Sequence, residues 1–438
     1  MKGIPCRRVV YPLDSGTHLE LVTGEPELFP GRTRRSAGHT PLPLRGAAAP
    51  RGVFVARGLP MGRKNGFASP VHFREDHLLN EKTRSIIVGT GSCIPTEVVN
   101  NESFLTNEFR DQGGKRYDKT NQEVIADFER ITGITERRYV SDDLVSSDIA
   151  YLAAKEALDS SGVDPERLDY IILAHNFGDV RAGNRRSDFV PSLASRVKHK
   201  LGIRNPHALA YDIAFGCPGW VQGMIQADYY LRSGDCGMAM VIGVETLSRL
   251  SDPHDRDSMI YADGAGATIL EAVESEEPVG ILSHAARTDT VEEAYLLWMG
   301  RSNDPDHEQQ EIFLKMDGRS VYEYALRTVP TVVKESLDKA ELGLSDVDKI
   351  LIHQANEKMD QAILKRLGQL YGVKDVIASI MPMTISWLGN SSVATIPTML
   401  DLLHKGKLGD HRTTNGMVYV LTSVGAGMNI NSLVYRCP

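Results

Sequence analysis

Residues 211–220 read Tyr-Asp-Ile-Ala-Phe-Gly-Cys-Pro-Gly-Trp. An apolar run ends at Ile213, Gly216 permits a tight turn, and Pro218 stands where a helix begins, a position at which its missing N–H costs nothing. Cys217 therefore falls at a helix N-terminus, where the positive end of the macrodipole favours a thiolate and lowers its pKa. A lone cysteine is more often a buried structural side chain, and that reading suits Cys93, Cys236 and Cys437. The strand–turn–helix setting makes Cys217 the candidate nucleophile.

Outward from this elbow the chain alternates. Apolar runs of strand length stand at Ser85–Val88, Tyr170–Ala174, Ala208–Ile213, Met238–Val244 and Ala267–Leu270. A second series stands at Val279–Leu282, Lys349–Ile352, Val376–Ile380, Val418–Thr422 and Ser432–Tyr435. Helical patterns separate most of them, which predicts an α/β chain with parallel sheets covered on both faces.

The second series echoes the first. Leu158-Asp159 leads to the strand that ends at His175, and Leu337-Asp338 leads to the strand that ends at His353, at offsets of 179 and 178 residues. Gly216-Cys217 opens a helix to Leu231, followed by Gly237-Met238; Gly389-Asn390 opens one to Leu403, followed by Gly416-Met417. Two echoes in one order indicate duplication, with halves at 81–275 and 276–438. Cys217 and Asn390 then occupy related points about an internal pseudo-dyad.

The echo selects two further residues. His353 ends the apolar strand of Ile-Leu-Ile-His-Gln-Ala-Asn (350–356). Carboxyl ends of strands are where α/β sheets bind ligands, and imidazole there can donate to a developing enolate. Asn390 alone reads as a helix cap; its place opposite Cys217 makes it a candidate. The glycine clusters at 263–267 and 423–428 do not follow a strand and open a helix, as a dinucleotide fingerprint requires. A turn donating N–H groups into the site is the better role, with Gly427 beside the N–H of Cys217 as the candidate oxyanion hole.

Composition bounds the rest. The chain has 438 residues, room for two or three domains. A net charge of −8 argues against a broad nucleic-acid-binding face. No apolar run reaches the roughly 18 residues of a membrane span. Five scattered cysteines without a C-x-x-C pair point to reduced thiols in a cytoplasm, with no zinc site or disulfide framework. Residues 1–80 differ: 12 Lys/Arg against 6 Asp/Glu, 9 of the 21 prolines and no sustained period. That composition predicts a disordered or loosely docked extension, or a leader upstream of a true start at Met61.

Taken in order, the Cys217 elbow, Asp263-Gly-Ala-Gly-Ala, His353-Gln-Ala-Asn and Gly389-Asn390-Ser-Ser with Pro397 resemble the ketoacyl synthase III (3-oxoacyl-acyl carrier protein synthase III) branch of the thiolase superfamily. Gly89-Thr-Gly-Ser-Cys-Ile-Pro95, Thr132-Gly-Ile-Thr-Glu-Arg-Arg138 and Ser248–Arg256 extend the likeness over roughly residues 84–437. The resemblance implies a five-layered αβαβα fold and a homodimer, with no metal and no bound cofactor. It implies that Cys217 takes an acyl group from coenzyme A or an acyl carrier protein. His353 and Asn390 then steer decarboxylation of malonyl-acyl carrier protein. Arg249 matches a family arginine near the phosphates of coenzyme A. In place of the Trp and Arg that commonly flank its adenine stand Phe128, Arg130 and Ile131, which opens a carrier protein as donor. Phe215 replaces a small residue beside the acyl tunnel, and the loop 176–186 is longer and more polar than usual.

Three other readings compete. A thiolase-fold enzyme of secondary metabolism would use the same Cys217 to join two acyl chains or to transfer an acyl group without malonyl decarboxylation. A cysteine hydrolase also orders Cys, His and Asn in this way, but duplication has no place there. A non-catalytic subunit would be expected to have lost the nucleophile.

Overall fold

The computed structural model describes residues 82–307, 311–374 and 376–438. The expected 1–80 extension lies outside the described residues.

Five strands form the first sheet: β1 (Thr83–Cys93), β2 (Tyr170–Ala174), β3 (Leu209–Ile213), β4 (Met238–Thr246) and β5 (Asp263–Glu274), in the order β1-β5-β4-β2-β3. Four form the second: β6 (Gly280–Thr288), β7 (Lys349–Ile352), β8 (Val418–Gly425) and β9 (Asn429–Arg436), in the order β6-β9-β8-β7. The orders superimpose with β6 for β1, β7 for β2, β8 for β4 and β9 for β5. Pair senses agree as well: β2–β4 and β7–β8 are parallel, while β4–β5, β1–β5, β8–β9 and β6–β9 are antiparallel. Even the register breaks correspond, between Ile87 and Gly89 in β1 and between Ile281 and Ser283 in β6. The chain is a duplicated α/β fold.

Two expectations need correction. The sheets are mixed, because β5 and β9 follow β4 and β8 without a crossover helix, and short connections pair strands antiparallel. The strand expected at Val376–Ile380 does not form; Ala378–Ile380 is a 3-10 turn. Val376 and Ile380 pack at the edge of the second half's core, and Ile377 is exposed.

Six helices complete five layers: α1 (Ser146–Ser161), α2 (Leu193–Leu201), α3 (Gly219–Arg232), α4 (Gly318–Lys339), α5 (Glu357–Leu370) and α6 (Thr395–His404). Strand alternation assigns the faces. Ile171, Leu173, Met240 and Ile242 pack outward with α1 and α2. Ile172, Val241, Leu351, Leu421 and Leu433 point inward to α3 and α6, which fill the space between the sheets. Ile350, Ile352, Val420 and Val434 face α4 and α5 on the far side. The fold is therefore αβαβα, with α3 and α6 as the central layer.

Candidate active site

The central helices bring the two halves together. β3 ends at Ile213, Gly216 turns with φ 69°, and Pro218 caps α3, so Cys217 stands at the amino end of a central helix. Against it lies the β8–β9 turn of the second half. A Cβ on Gly425 would fall 2.5 Å from the Cys217 backbone N, and one on Gly216 would fall 3.0 Å from Ala426 N. Only glycine allows this approach of two backbones.

Asn390 is fixed by other means. Gly389 turns with φ 69°, where a Cβ would meet that of Arg137 at 2.6 Å. Asn390 then pairs with the chain before β5: its N–H donates to Ile260 O at 2.9 Å, and its carbonyl accepts from Ala262 N–H at 2.8 Å. Its side-chain Oδ1 accepts from Ser392 N–H at 2.8 Å. The carboxamide oxygen is thus engaged and Nδ2 is left as the donor. The expected helix does not open at Asn390; α6 begins at Thr395, after a 3-10 turn at Ser392–Ala394.

His353 follows β7, its N–H donating to Thr422 O at 2.9 Å. Gln354 clamps the next loop: its Oε1 accepts from Thr384 and Ile385 N–H at 2.8 and 2.9 Å, and its Nε2 donates to Pro382 O at 2.7 Å. That loop leads to Asn390. Asn356 caps α5 through Met359 N–H at 3.1 Å. Within His-Gln-Ala-Asn, His353 and Ala355 line a cavity, while Gln354 and Asn356 hold the neighbouring loop and helix.

Cys217, His353 and Asn390 line one cavity of about 260 Å3. Its other walls are mainly apolar, among them Phe177, Leu247, Ile260, Trp298 and Leu314. This environment controls the charges. Burial pushes the His353 imidazole down to about 4, with the Ser392 backbone opposing, so the ring is neutral at physiological pH. Its Nδ1 has no partner within hydrogen-bond reach. Burial also pushes the Cys217 thiol up to about 11, with the Glu245 carboxyl adding to the rise and the Ser392 hydroxyl opposing it. The lowered pKa expected from the macrodipole is thus overturned. A helix end offers about half a charge, and here desolvation outweighs it. Cys217 is therefore held as a thiol at physiological pH.

Three residues without an assigned role in the sequence motifs stand beside Cys217. Ser392 donates to Cys217 Sγ at 3.2 Å. Asn176 Nδ2 reaches Ser392 Oγ at 3.4 Å, and both Asn176 nitrogens donate to Glu245 Oε1. Burial raises the Glu245 carboxyl to about 8. Ser392 closes the Gly389-Asn390-Ser-Ser motif, Asn176 opens the polar loop 176–186 and Glu245 stands in an otherwise apolar strand, signals that mark the positions without giving their roles.

The remaining sequence candidates separate. Gly425, Ala426 and Met428 line the cavity, while Gly427 does not, and Ala426 is the residue beside Gly216. Phe215 is absent from the lining, to which the long loop contributes Asn176 and Phe177. Arg249 donates to Val180 O at 2.6 Å and Ser141 O at 2.9 Å, away from the cavity. Arg130 is exposed and paired with Asp127 at 2.9 Å. Phe128 is buried against the Arg137 guanidinium and borders a second cavity.

A duplicated αβαβα chain with a helix-end cysteine, a neutral histidine and an asparagine on one cavity defines a condensing enzyme of the thiolase fold. Residues 211–290 match the family described as 3-oxoacyl-[acyl-carrier-protein (ACP)] synthase III, and residues 337–437 match its C-terminal domain. The chain belongs to this family. Its structure is similar to 3-oxoacyl-(acyl carrier protein) synthase III from Pseudomonas aeruginosa PAO1, with TM-score 0.66 and 28% identity over 81% of this chain and 98% of that one. The Thermus thermophilus enzyme gives TM-score 0.66 and 27% identity over 81% and 99%. The priming β-ketosynthase of the R1128 polyketide pathway gives 0.66 and 25% over 81% and 96%.

Proposed function

We propose that this protein catalyses decarboxylative Claisen condensation in the manner of a 3-oxoacyl-acyl carrier protein synthase III, in fatty acid or related lipid or polyketide biosynthesis. The observation that carries the reading is the single apolar cavity onto which Cys217, His353 and Asn390 converge. In the first half-reaction the Cys217 sulfur attacks an acyl thioester. The carbon–sulfur bond of the donor breaks, and its thiol leaves with the proton that Cys217 gives up. The oxyanion of this step rests on N–H groups of the Cys217 turn and the abutting 425–427 turn.

Malonyl-acyl carrier protein then enters. Its carboxylate leaves as carbon dioxide, and the electron pair remains as an enolate on the thioester. His353 and Asn390 Nδ2, both uncharged donors, stabilise that enolate in a medium of low dielectric. Its carbon attacks the acyl-Cys217 carbonyl, and the cysteine departs as a thiolate that takes up a proton from water. Acyl carrier protein is the proposed partner. A homodimer is the proposed assembly, supported by β3, which ends its sheet with Leu209 half-exposed.

The test is intact-protein mass spectrometry after exposure to a panel of acyl thioesters, followed by malonyl-acyl carrier protein labelled in its free carboxylate. Acyl mass on Cys217 and labelled carbon dioxide are expected. Acylation without carbon dioxide release would replace this reading by the joining of two acyl chains or acyl transfer to another acceptor.

A further inference from the structure

A second cavity of about 680 Å3 adjoins the catalytic one, and Ile260, Met316, Val321, Ala355 and Met359 line both. Its walls are charged where those of the first are not. Asp111, Asp255, Asp257, Asp317 and Glu323 face it, against Arg256 and Arg319. Each guanidinium has a carboxylate beside it. Arg319 lies 2.9 Å from Glu323, and Arg256 lies 3.6 Å from Asp257 with its guanidinium over the Tyr117 ring. Asp255 shares Lys315 with Asp252, at 3.0 and 2.6 Å, so two carboxylates divide one ammonium. Asp317 accepts from Ser320 N–H and Oγ, which hold its carboxyl below the usual range. The balance of the walls is therefore negative. Arg249, expected near the phosphates of coenzyme A, and Arg130, expected near its adenine, are not among the lining residues.

We propose that this cavity selects against coenzyme A and accepts the acyl group from a pantetheine thioester that carries no nucleotide. This rests on the reading of Cys217 as the acyl acceptor. A pantetheine arm is uncharged and bears amides, which suits a channel with carboxylate acceptors. A nucleotide with its phosphates brings several negative charges to a wall whose five carboxylates outnumber its two guanidinium groups. Field lines concentrate in such clefts, so like charge slows entry more strongly than on an open surface.

The experiment delivers one acyl group to the full chain as its coenzyme A, pantetheine and acyl carrier protein thioesters, and follows acyl-Cys217 by intact mass. At low ionic strength the second-order rate constant for the pantetheine thioester should exceed that for coenzyme A by roughly tenfold. The gap should shrink as salt is raised, and shrink also in the Asp111→Asn, Glu323→Gln double variant, which removes two carboxylates and frees Arg319. A carrier-protein thioester faster than both would add protein contacts to the same selection. Equal or faster reaction with coenzyme A at low salt overturns the proposal while leaving the acylation of Cys217 intact. Failure of all three donors removes the proposed function itself and this inference with it.

Discussion

The Ser392 hydroxyl donates to Cys217 Sγ over 3.2 Å. This bond opposes the burial that keeps Cys217 protonated, so its loss should push the thiol pKa higher. Ser392 sits at φ 52°, a region that costs an alanine about 1 kcal/mol. Ser392→Gly is therefore the cleaner variant, because it removes the hydroxyl without that strain. A hydrogen bond of about 1 kcal/mol predicts roughly fivefold slower alkylation of Cys217 by iodoacetamide at pH 8. The alkaline rise of the rate profile should also move to higher pH. An unchanged profile would show that the contact does not tune the thiol.

His353 and Asn390 should matter for one half-reaction only. His353→Ala or Asn390→Ala removes one donor from the enolate, and such losses cost about 100- to 1000-fold in rate. Acyl transfer to Cys217 should survive in both variants while carbon dioxide release collapses. With the imidazole held down to about 4 by burial, the wild-type rate of carbon dioxide release should show no His353 inflection between pH 5 and 8, measured with radiolabelled malonyl thioester. An inflection near the ordinary histidine value, about 6.5, would mean that the ring is charged during the reaction.

Much of this architecture could be read from the chain, because period-2 burial and strand–helix alternation are local signals. The echo of Leu158–His175 in Leu337–His353 reflects a real duplication, down to the matching register breaks in β1 and β6. Cys217 and His353 were legible because an apolar strand delivers each to a sheet's carboxyl edge. What failed depended on three dimensions. The thiol pKa is set by apolar walls drawn from both halves, which no helix-end rule contains. Val376–Ile380 has strand composition but lacks a partner strand. Glu245, Asn176 and Ser392 come from three separate segments, and only the fold makes them neighbours of Cys217. Arg249 looked like a phosphate ligand and is spent instead on two backbone carbonyls.

Gly425 should tolerate no side chain. Its backbone is extended, at φ −165°, so conformation does not forbid alanine; space does. The added Cβ would lie 2.5 Å from Cys217 N, 2.8 Å from Pro218 Cδ and 2.9 Å from Cys217 Cβ. The atoms in the way are backbone and ring, so one of the two turns must move and carry the sulfur with it. Displacement of about 1 Å at a reacting atom costs on the order of 100-fold. Gly425→Ala should acylate at least that much more slowly, measured by intact mass under single-turnover conditions. Circular dichroism should show the secondary structure retained. Wild-type acylation rates would mean that the 425–427 turn does not set the position of the nucleophile.

Glu245 provides a stability test with a defined sign. Burial raises its carboxyl from 4.5 in the unfolded chain to about 8 in the native protein. Below pH 4.5 both states hold the proton and nothing is lost. Between pH 4.5 and about 8 the unfolded state releases a proton that the folded state keeps, so rising pH favours unfolding by about 1.4 kcal/mol per pH unit from this group. Above about 8 the cost is constant. Glu245→Gln removes the titration while retaining an oxygen for the Asn176 donors. The difference in unfolding free energy between variant and wild type should shift in favour of the variant across that window and level off above it, measured by urea denaturation at successive pH values. A difference that stays flat from pH 5 to 9 would show that the carboxylate finds solvation in the folded protein. In that case Asn176 and Ser392 would join Cys217 to an ionised group at neutral pH.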